Sequence, residues 1–302
     1  MSISCPSNGA KTSLKLAPES SLGTATVTAG DSIELPIVST DLNLSRTLLD
    51  SSTMNGKRQK LYQRLGNRSV AGSVSLELNH NADIFLESLM GEKFSSGSLK
   101  VGDDRTSFTI ETGDDVKDLY RVFKGLQTNE FSMEISGDSL ISSSFGLLGS
   151  DMTTSGSTFD TAPTAAETQE PFYSGDGSIT IDGSSTDAVV TSASLTIANN
   201  IEQLYQIGSN VPFCQQSLMV DVSGECTIYF TSNAMMNKFI AEAESNIVLV
   251  AGNGSDSYTF RIPRAKWNTA TMTIDNSASA VTMQYTALYD TTTATSVEIS
   301  KS

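Results

Sequence analysis

The sequence predicts a mainly β protein made of two tandem, similar units, each flanked by one short α-helix. Ser, Thr, Gly and Asn are abundant and no long helical pattern occurs, which favours strands joined by many turns. One strand–turn–helix segment, residues 67–91, has a second copy at residues 220–243. With 302 residues, the chain is long enough for two ordinary domains.

Residues 67–91 carry the clearest local pattern. Apolar residues from 70 to 78 alternate, or nearly alternate, with small or polar residues, as on a half-buried strand. A short helix with one apolar side follows, and Asn81 is its predicted N-cap. Gly91 is the predicted stop, because glycine readily adopts the left-handed conformation that ends many helices.

The second copy repeats this segment at a constant spacing. Gly72 corresponds to Gly224, which lies 152 positions later (224 − 72). The closing hairpins also correspond, because Met133 and Met272 lie 139 positions apart (272 − 133). Two related folds in one chain account for these spacings, and chance similarity between β-rich segments is the alternative.

The composition of the chain suggests four regions. Residues 1–22 are small and polar, and we expect an N-terminal arm that orders only against a partner. Residues 23–149 form the first β unit and residues 179–302 the second. Between them, residues 150–178 have almost no large aliphatic side chains and form a polar linker, either a flexible tether or an ordered loop that clasps a neighbour.

Alternating or β-rich runs predict the strands in order. Pro36 interrupts the first of them, which suits an edge strand. The last two form a closing hairpin around Asp275 and Asn276. The candidate strands outside the repeated segment are residues 24–38, 42–44, 107–111, 119–124, 130–135, 139–148, 193–197, 257–262, 267–274 and 280–288.

A basic block lies inside this acidic chain, in the long connection 45–67. Its single acid is Asp50, and its basic residues are Arg46, Lys57, Arg58, Lys60 and Arg64. Long connections without secondary structure are usually functional or disordered. We expect a solvated loop or a docking arm that meets an acidic face of another copy, with nucleic-acid contact as the third alternative.

Charge and cysteine content exclude several classes of protein. There are 34 acidic and 19 basic residues, a net charge of −15, which argues against a duplex-binding surface. No apolar run is long enough to span a membrane, and no secretion signal occurs. Cys5, Cys214 and Cys226 are odd in number and widely spaced, and they predict thiols of a protein made in the cytosol.

The sequence contains no catalytic, cofactor-binding or metal-binding constellation. His80 is the single histidine, and we expect a surface or capping role for it. The acidic pairs at 103–104 and 114–115 lack the alternating ligands and glycine of a calcium loop. No base lies next to Cys214 or Cys226 to activate a thiol, so both are predicted to be packing residues.

The order of elements in each half is a strand, a long loop, a second strand, a short helix and a closing hairpin. This order resembles the tail tube proteins, or major tail proteins, of long-tailed, non-contractile bacteriophages. The residues that carry the resemblance are 41–59, 70–91 and 131–149. The resemblance covers most of residues 30–150 and, through the duplication, 190–290.

The resemblance implies two tail-tube-type β-sandwich or barrel units and a structural virion protein without enzymatic activity or cofactor. In that family, rings of six cores close their strands into a barrel around a channel, and a long loop reaches the neighbouring ring. The rings stack into a tube, through which DNA passes into the host without specific binding. The implied partners are other copies and the tail terminator, tape measure and distal tail proteins. The implied location is the virion tail, after synthesis in the host cytoplasm.

Two units per chain would let three chains supply six cores, so we predict a trimeric, pseudo-sixfold ring. A hexamer with the second half on the outside is the alternative. A non-catalytic β-sandwich binding or adhesion module is the rival function, although it needs exposed aromatic residues on one face. A hydrolase would need paired carboxylates at a fixed separation, and nothing in the sequence points to such a pair.

Overall fold

The structure is a computed structural model that describes residues 9–25, 30–54, 56–114, 116–166, 168–184, 189–273 and 278–302. These residues form a mainly β fold with two short α-helices, as the sequence predicts. Cys5 and the turn predicted at Asp275 and Asn276 lie outside the described residues.

The described part of the N-terminal half, residues 9–155, contains ten strands and one α-helix. In chain order they are β1 (Thr12–Pro18), β2 (Ile33–Leu35), β3 (Ser39–Thr40), β4 (Asn43–Asp50), β5 (Gln63–Glu77), α1 (Asp83–Met90), β6 (Ser98–Lys100), β7 (Phe108–Asp114), β8 (Leu119–Ser136), β9 (Ser142–Gly149) and β10 (Asp151–Ser155). Short 3-10 turns at Gly9–Lys11 and His80–Ala82 precede β1 and α1.

The remaining described residues contain ten strands and the second α-helix. In chain order they are β11 (Thr164–Ala165), β12 (Tyr173–Ile181), β13 (Val190–Ala198), β14 (Glu202–Leu204), β15 (Cys214–Gln216), β16 (Asp221–Tyr229), α2 (Ala234–Ile240), β17 (Glu244–Gly252), β18 (Ser257–Thr273), β19 (Ala280–Ala287) and β20 (Glu298–Lys301). We call residues 173–302 the C-terminal half.

Eight strands form one continuous antiparallel sheet, which we call the long sheet. Its order is β4-β5-β9-β8-β13-β16-β19-β18. The two halves meet inside it, where β8 pairs with β13 and Phe131 lies opposite Ile197. Each half therefore contributes four adjacent strands.

The long strands β8 and β18 leave this sheet and continue into a second layer. The first part of β8 pairs there with β7 and β10, and the first part of β18 pairs with β17 and β20. The complete neighbour order is β1-β7-β8-β9-β5-β4 in one half. In the other half the order is β12-β17-β18-β19-β16-β13. Each of these strands has a counterpart at the same position in the order of the first half.

The core lies between the two layers and runs through both halves. On α1, the fully buried Phe85 contacts Phe108 of β7 and Phe145 of β9, with ring centroids 5.5 and 5.0 Å away. Across the junction, Phe131 stacks on Phe260 of the C-terminal half at 5.7 Å. The packing therefore fixes the two halves against each other.

The caps of α1 differ partly from the prediction. Gly91 adopts the left-handed conformation with φ +62°, and its N–H donates to Glu87, so the predicted stop is confirmed. The predicted N-cap role of Asn81 is wrong, because Asn79 caps the preceding 3-10 turn and accepts a bond from the Asn81 N–H. This extra turn displaces the start of α1 to Asp83.

Part of the predicted N-terminal arm is instead a strand of the second layer. β1 lies between β2 and β7, with Leu14 and Leu16 fully buried. Lys15 is buried as well, since its ammonium lies 3.8 Å from the Glu111 carboxylate and donates to Thr158 Oγ1 at 2.9 Å. The expectation of a segment that orders only against a partner is therefore wrong for residues 12–18.

The described part of the predicted linker 150–178 is an ordered loop on its own chain. β10 pairs with β8, and Phe172 is fully buried. Between them, the buried Asp160 carboxylate accepts bonds from Ser32 Oγ at 2.6 Å and from the Gly30 N–H at 3.2 Å. The polar composition of residues 150–178 does not predict this arrangement, because polar contacts hold the segment in place.

Candidate functional site

One face of the long sheet is lined by small hydroxyl side chains, and we call it the polar face. Strand alternation produces it, because the residues between these hydroxyls are buried in the core. The register aligns the hydroxyls across the strands. One such row contains Ser39, Ser75, Ser144, Ser132, Thr196, Ser223 and Thr286.

Carboxylates interrupt the hydroxyl rows at regular intervals. Glu77, Glu134 and Glu225 lie in one row on every second strand, separated by Ser142 and Ser194. Strands lie about 4.8 Å apart, so neighbouring carboxylates of this row are about 10 Å apart. This spacing keeps the face negative while limiting repulsion between the acids.

Three further acids of the polar face, Asp41, Glu130 and Asp221, lie in one row on the other side of the hydroxyl row. Asp41 accepts bonds from the Ser73 N–H and hydroxyl, and these bonds lower the pKa of Asp41. No lysine or arginine occurs in residues 39–45, 71–77, 130–136, 142–146, 192–198, 223–229, 269–273 and 280–286, which form most of this face. At its end, Lys266 of β18 lies opposite Thr286 of the hydroxyl row, and its ammonium pairs with Glu242 at 2.9 Å. The face is therefore predominantly negative.

The long sheet has an open edge at each end among the described residues. β4 pairs only with β5, and residues 269–273 of β18 pair only with β19. Their counterparts inside the chain, β13 and residues 130–136 of β8, pair with each other. Free edges usually carry charge or proline against unwanted pairing, and residues 269–273, TATMT, have neither.

The predicted basic loop is largely a β-hairpin, so the expectation of a long connection over 45–67 is wrong. β4 and β5 stay paired until Asp50 and Gln63, and only residues 51–62 connect them. Beyond the sheet, most side chains of this hairpin are exposed on both faces. A strand exposed on both faces needs no apolar alternation, so the sequence of this hairpin does not show the pattern that predicts a strand. We call residues 46–67 the arm.

The structure places the five predicted basic residues on the arm without joining them in one site. Lys60 pairs with Asp50, whose pKa is lowered by the hydrogen bond from Lys60. At the base, the Arg46 guanidinium donates to the Leu65 and Gly66 carbonyls, both at 3.4 Å. The other three, in the connection and on β5, are exposed: Lys57, Arg58 and Arg64.

The arm also exposes large apolar side chains, which the distribution of charge along the sequence does not indicate. Each has at least half of its side chain in solvent, and Met54 is 97% exposed. A cluster of exposed apolar residues on one projecting element marks an interaction surface. Its members are Leu48, Leu49, Met54, Leu61, Tyr62 and Leu65.

The family model described as phage tail tube protein matches residues 9–300. The chain belongs to this family. The match covers both halves, the polar face and the arm, so this tail tube protein is a structural component of the phage virion tail. A comparison with curated protein sequences gave no match.

The remaining candidate residues of this tail tube protein have packing environments. The His80 ring lies 4.9 Å from the Tyr258 ring and 5.7 Å from Phe172, so it belongs to an aromatic cluster and does not cap α1. Cys226 is fully buried, and burial raises the pKa of its thiol to about 12. The half-buried Cys214 Sγ accepts a bond from Arg105 at 3.4 Å.

No three His, Cys, Asp or Glu side chains in the described part of the chain are close enough to hold a metal ion. Neither of its α-helices has the length and apolar character that crossing a membrane requires.

Proposed function

We propose that this chain is the subunit of a phage tail tube in which three copies form each ring. The rings stack, and the polar faces of their long sheets line a channel that conducts DNA into the host. The observation that carries the proposal is the long sheet itself, with one polar, acidic face and two open edges. Such a sheet loses its edges when copies join side by side into a closed barrel.

The shared strand order supports three chains in each ring. Both halves follow the same sequence of neighbours through six strands, and each contributes four strands to the long sheet. We infer that they are two copies of one unit, as the spacings of 152 and 139 residues suggest. A ring of six units then needs three chains. A hexameric ring would instead leave one half of each chain outside the wall.

The chemistry of the polar face suits passage of DNA without retention. Phosphate groups bind proteins mainly through Lys and Arg, and the strand segments of this face have neither, apart from Lys266, which pairs with Glu242. The carboxylates of Glu77, Glu134 and Glu225 repel phosphates at short range. Small hydroxyls between them keep the surface hydrated and carry no aromatic ring on which bases could stack. Strand alternation places one exposed aromatic residue, Tyr229, on this face at the end of β16.

The arm is proposed to dock on an acidic face of another copy. Its exposed basic residues give attraction and orientation, and its exposed apolar residues supply area to bury. The other proposed partners, the tail terminator, tape measure and distal tail proteins, would meet the ends or the interior of the tube. We expect synthesis in the host cytoplasm, no cofactor and no turnover of a substrate.

Electron microscopy of the purified protein tests the proposal. The protein is concentrated, warmed gently and imaged in negative stain, with and without seeding by preformed tubes. We expect rings and stacked tubes with a central channel. Monodisperse monomers at high concentration, with no tubes after seeding, would contradict the tail tube assembly.

A further inference from the structure

We infer that the interface between neighbouring copies repeats, in one defined register, the junction that joins the two halves within a chain. In this interface β4 of one copy pairs antiparallel with residues 269–273 of β18 in the next copy. The inference rests on the proposed ring and specifies how that ring closes.

The internal junction supplies the template. β8 and β13 pair antiparallel over seven residues, from Glu130 opposite Ala198 to Ser136 opposite Ser192. Polar residues of both strands share the polar face, and Phe131 and Ile197 share the core side. The junction therefore continues both faces of the sheet from one half into the other.

On one open edge, β4 has the same position as β13. Leu44 of β4 lies opposite Val70 of β5. Ile197 of β13 lies opposite Val222 of β16. Val70 and Val222 are separated by the repeat spacing of 152 residues (222 − 70), so Leu44 is the counterpart of Ile197.

On the other open edge, the last part of β18 has the same position as the last part of β8. Phe131 lies opposite Phe145 of β9. Ala270 lies opposite Met283 of β19. Phe131 and Ala270 are 139 positions apart (270 − 131), the spacing of the two closing hairpins, so Ala270 is the counterpart of Phe131.

Transferring the junction to these counterparts fixes the register between copies. Because Phe131 lies opposite Ile197 within the chain, Ala270 of one copy lies opposite Leu44 of the next. The neighbouring pairs follow by antiparallel counting: Thr271 with Asn43, Thr269 with Ser45 and Met272 with Leu42.

The faces of the two edges agree with this register independently. Asn43, Ser45, Thr269 and Thr271 are all exposed, and the register places all four on the polar face. The half-buried Leu44, Ala270 and Met272 and the buried Leu42 come together on the core side. A shift of one residue would put the aliphatic residues of one edge on the polar face.

A pair of asparagines extends the same alignment. Asn129 and Asn268 occupy bulges of β8 and β18 and are 139 positions apart (268 − 129). Within the chain, Asn129 Oδ1 accepts a bond from the Ile201 N–H at 2.7 Å. The counterpart of Ile201 is Leu48 of the arm, so the register brings the Leu48 N–H of the next copy to Asn268.

Cysteine pairs test the register in the full-length chain, with Cys5 and Cys214 replaced by serine to remove two native thiols. The variants are N43C/T271C and S45C/T269C, which change exposed residues only. After mild oxidation of assembled protein, we expect disulfides between copies, since directly opposed residues have Cα atoms about 5 Å apart. Non-reducing gels should show covalent species that stop at three 32.1 kDa chains.

The matched control is N43C/T282C. Thr282 lies opposite Thr271 but one strand further from the edge, which places its Cα about 10 Å from Asn43 of the next copy, beyond disulfide reach. We expect at least about tenfold less crosslinked chain than for N43C/T271C. Imaging each variant under reducing conditions shows whether it still forms rings.

Tubes that assemble without crosslinking at either matched pair would overturn the register while leaving the tail tube function in place. Equal crosslinking of the control would overturn it as well. Failure of the unmodified chain to assemble would overturn the proposed function and, with it, this interface.

Discussion

Glu134 and Glu225 are the residues on which the chemistry of the proposed channel depends most directly. They share one row of the polar face with Ser194 between them, and Glu225 is held by a bond from Gln284 Nε2 at 3.1 Å. Replacing both with lysine, in E134K/E225K, would place cations at intervals around the channel. Because phosphate binding follows the number of basic contacts, we expect these tubes to bind short duplex DNA, whereas wild-type tubes do not.

A mobility-shift assay at several salt concentrations measures this binding. The matched control is E92K/E170K, which makes the same charge change at exposed residues outside the polar face. We expect salt-sensitive binding for E134K/E225K only. Equal binding by both double variants would show that net charge alone, and not the polar face, governs contact with DNA.

Asp160 holds the loop after β10 against the N-terminal half through hydrogen bonds from Gly30 and Ser32. The hydrogen bond from Ser32, with further bonds from the Ala162, Ser32 and Gly30 N–H groups, lowers the pKa of Asp160 to about 2. A depressed carboxylate pKa stabilises the fold above the ordinary value near 3.8 and loses this contribution as pH falls to about 2. We therefore expect D160N to be less stable than wild type at pH 7.

Urea denaturation at pH values from 7 to about 2 checks this linkage. The difference in midpoint between wild type and D160N should be constant above about pH 4 and should shrink towards zero as pH approaches about 2. D103N, at an exposed position, is the control and should match wild type throughout. A D160N difference that does not change with pH would contradict the role of the ionised carboxylate.

At the scale of elements, the arm is a hairpin that carries both exposed basic residues and exposed leucines. The variant K57Q/R58Q/R64Q removes three charges and leaves the Lys60–Asp50 pair intact. Exposed ion pairs contribute about 0.5 kcal/mol each, so the protein concentration needed for assembly should rise about tenfold. Light scattering during assembly measures this change.

The control for the arm is K11Q/K93Q/K117Q, which removes three exposed charges elsewhere. It should assemble at nearly the wild-type concentration, and its assembly should keep the wild-type dependence on salt. If both triple variants shift assembly equally, the arm has no specific role in docking.

The elements predicted best are those with one buried face. The strand in residues 70–78, the short helix with its Gly91 stop and the hairpin of β8 and β9 all show alternation or one-sided apolar patterns. β8 was predicted as two strands, because its bulge between Thr128 and Glu130 breaks the alternation. β1 was missed because Lys15 and Glu111 bury charges as a pair, and local sequence cannot show a partner 96 positions away (111 − 15).

The features of the candidate site also differ in how far the sequence predicts them. The hydroxyl content of the strands and the basic residues of the arm are visible in the sequence. The rows of the polar face are not, because they depend on register across strands that lie far apart in the chain. The open edges likewise emerge only from the pairing of the complete sheet.

At the scale of the whole molecule, the two halves share one strand order and together form the long sheet. Packing of Phe131 on Phe260 and pairing of β6 with β20 join the halves in both layers. In the proposed ring, this junction sets the angle between the two units, and the same angle repeated between copies would close the ring. We therefore expect the internal junction to set the curvature of the proposed wall.

Cryo-electron microscopy of assembled wild-type tubes tests this account most directly. The account predicts threefold rings in which each chain supplies eight adjacent wall strands, with pseudo-sixfold repetition of the two halves. Rings of six chains, with only four strands of each in the wall, would contradict it.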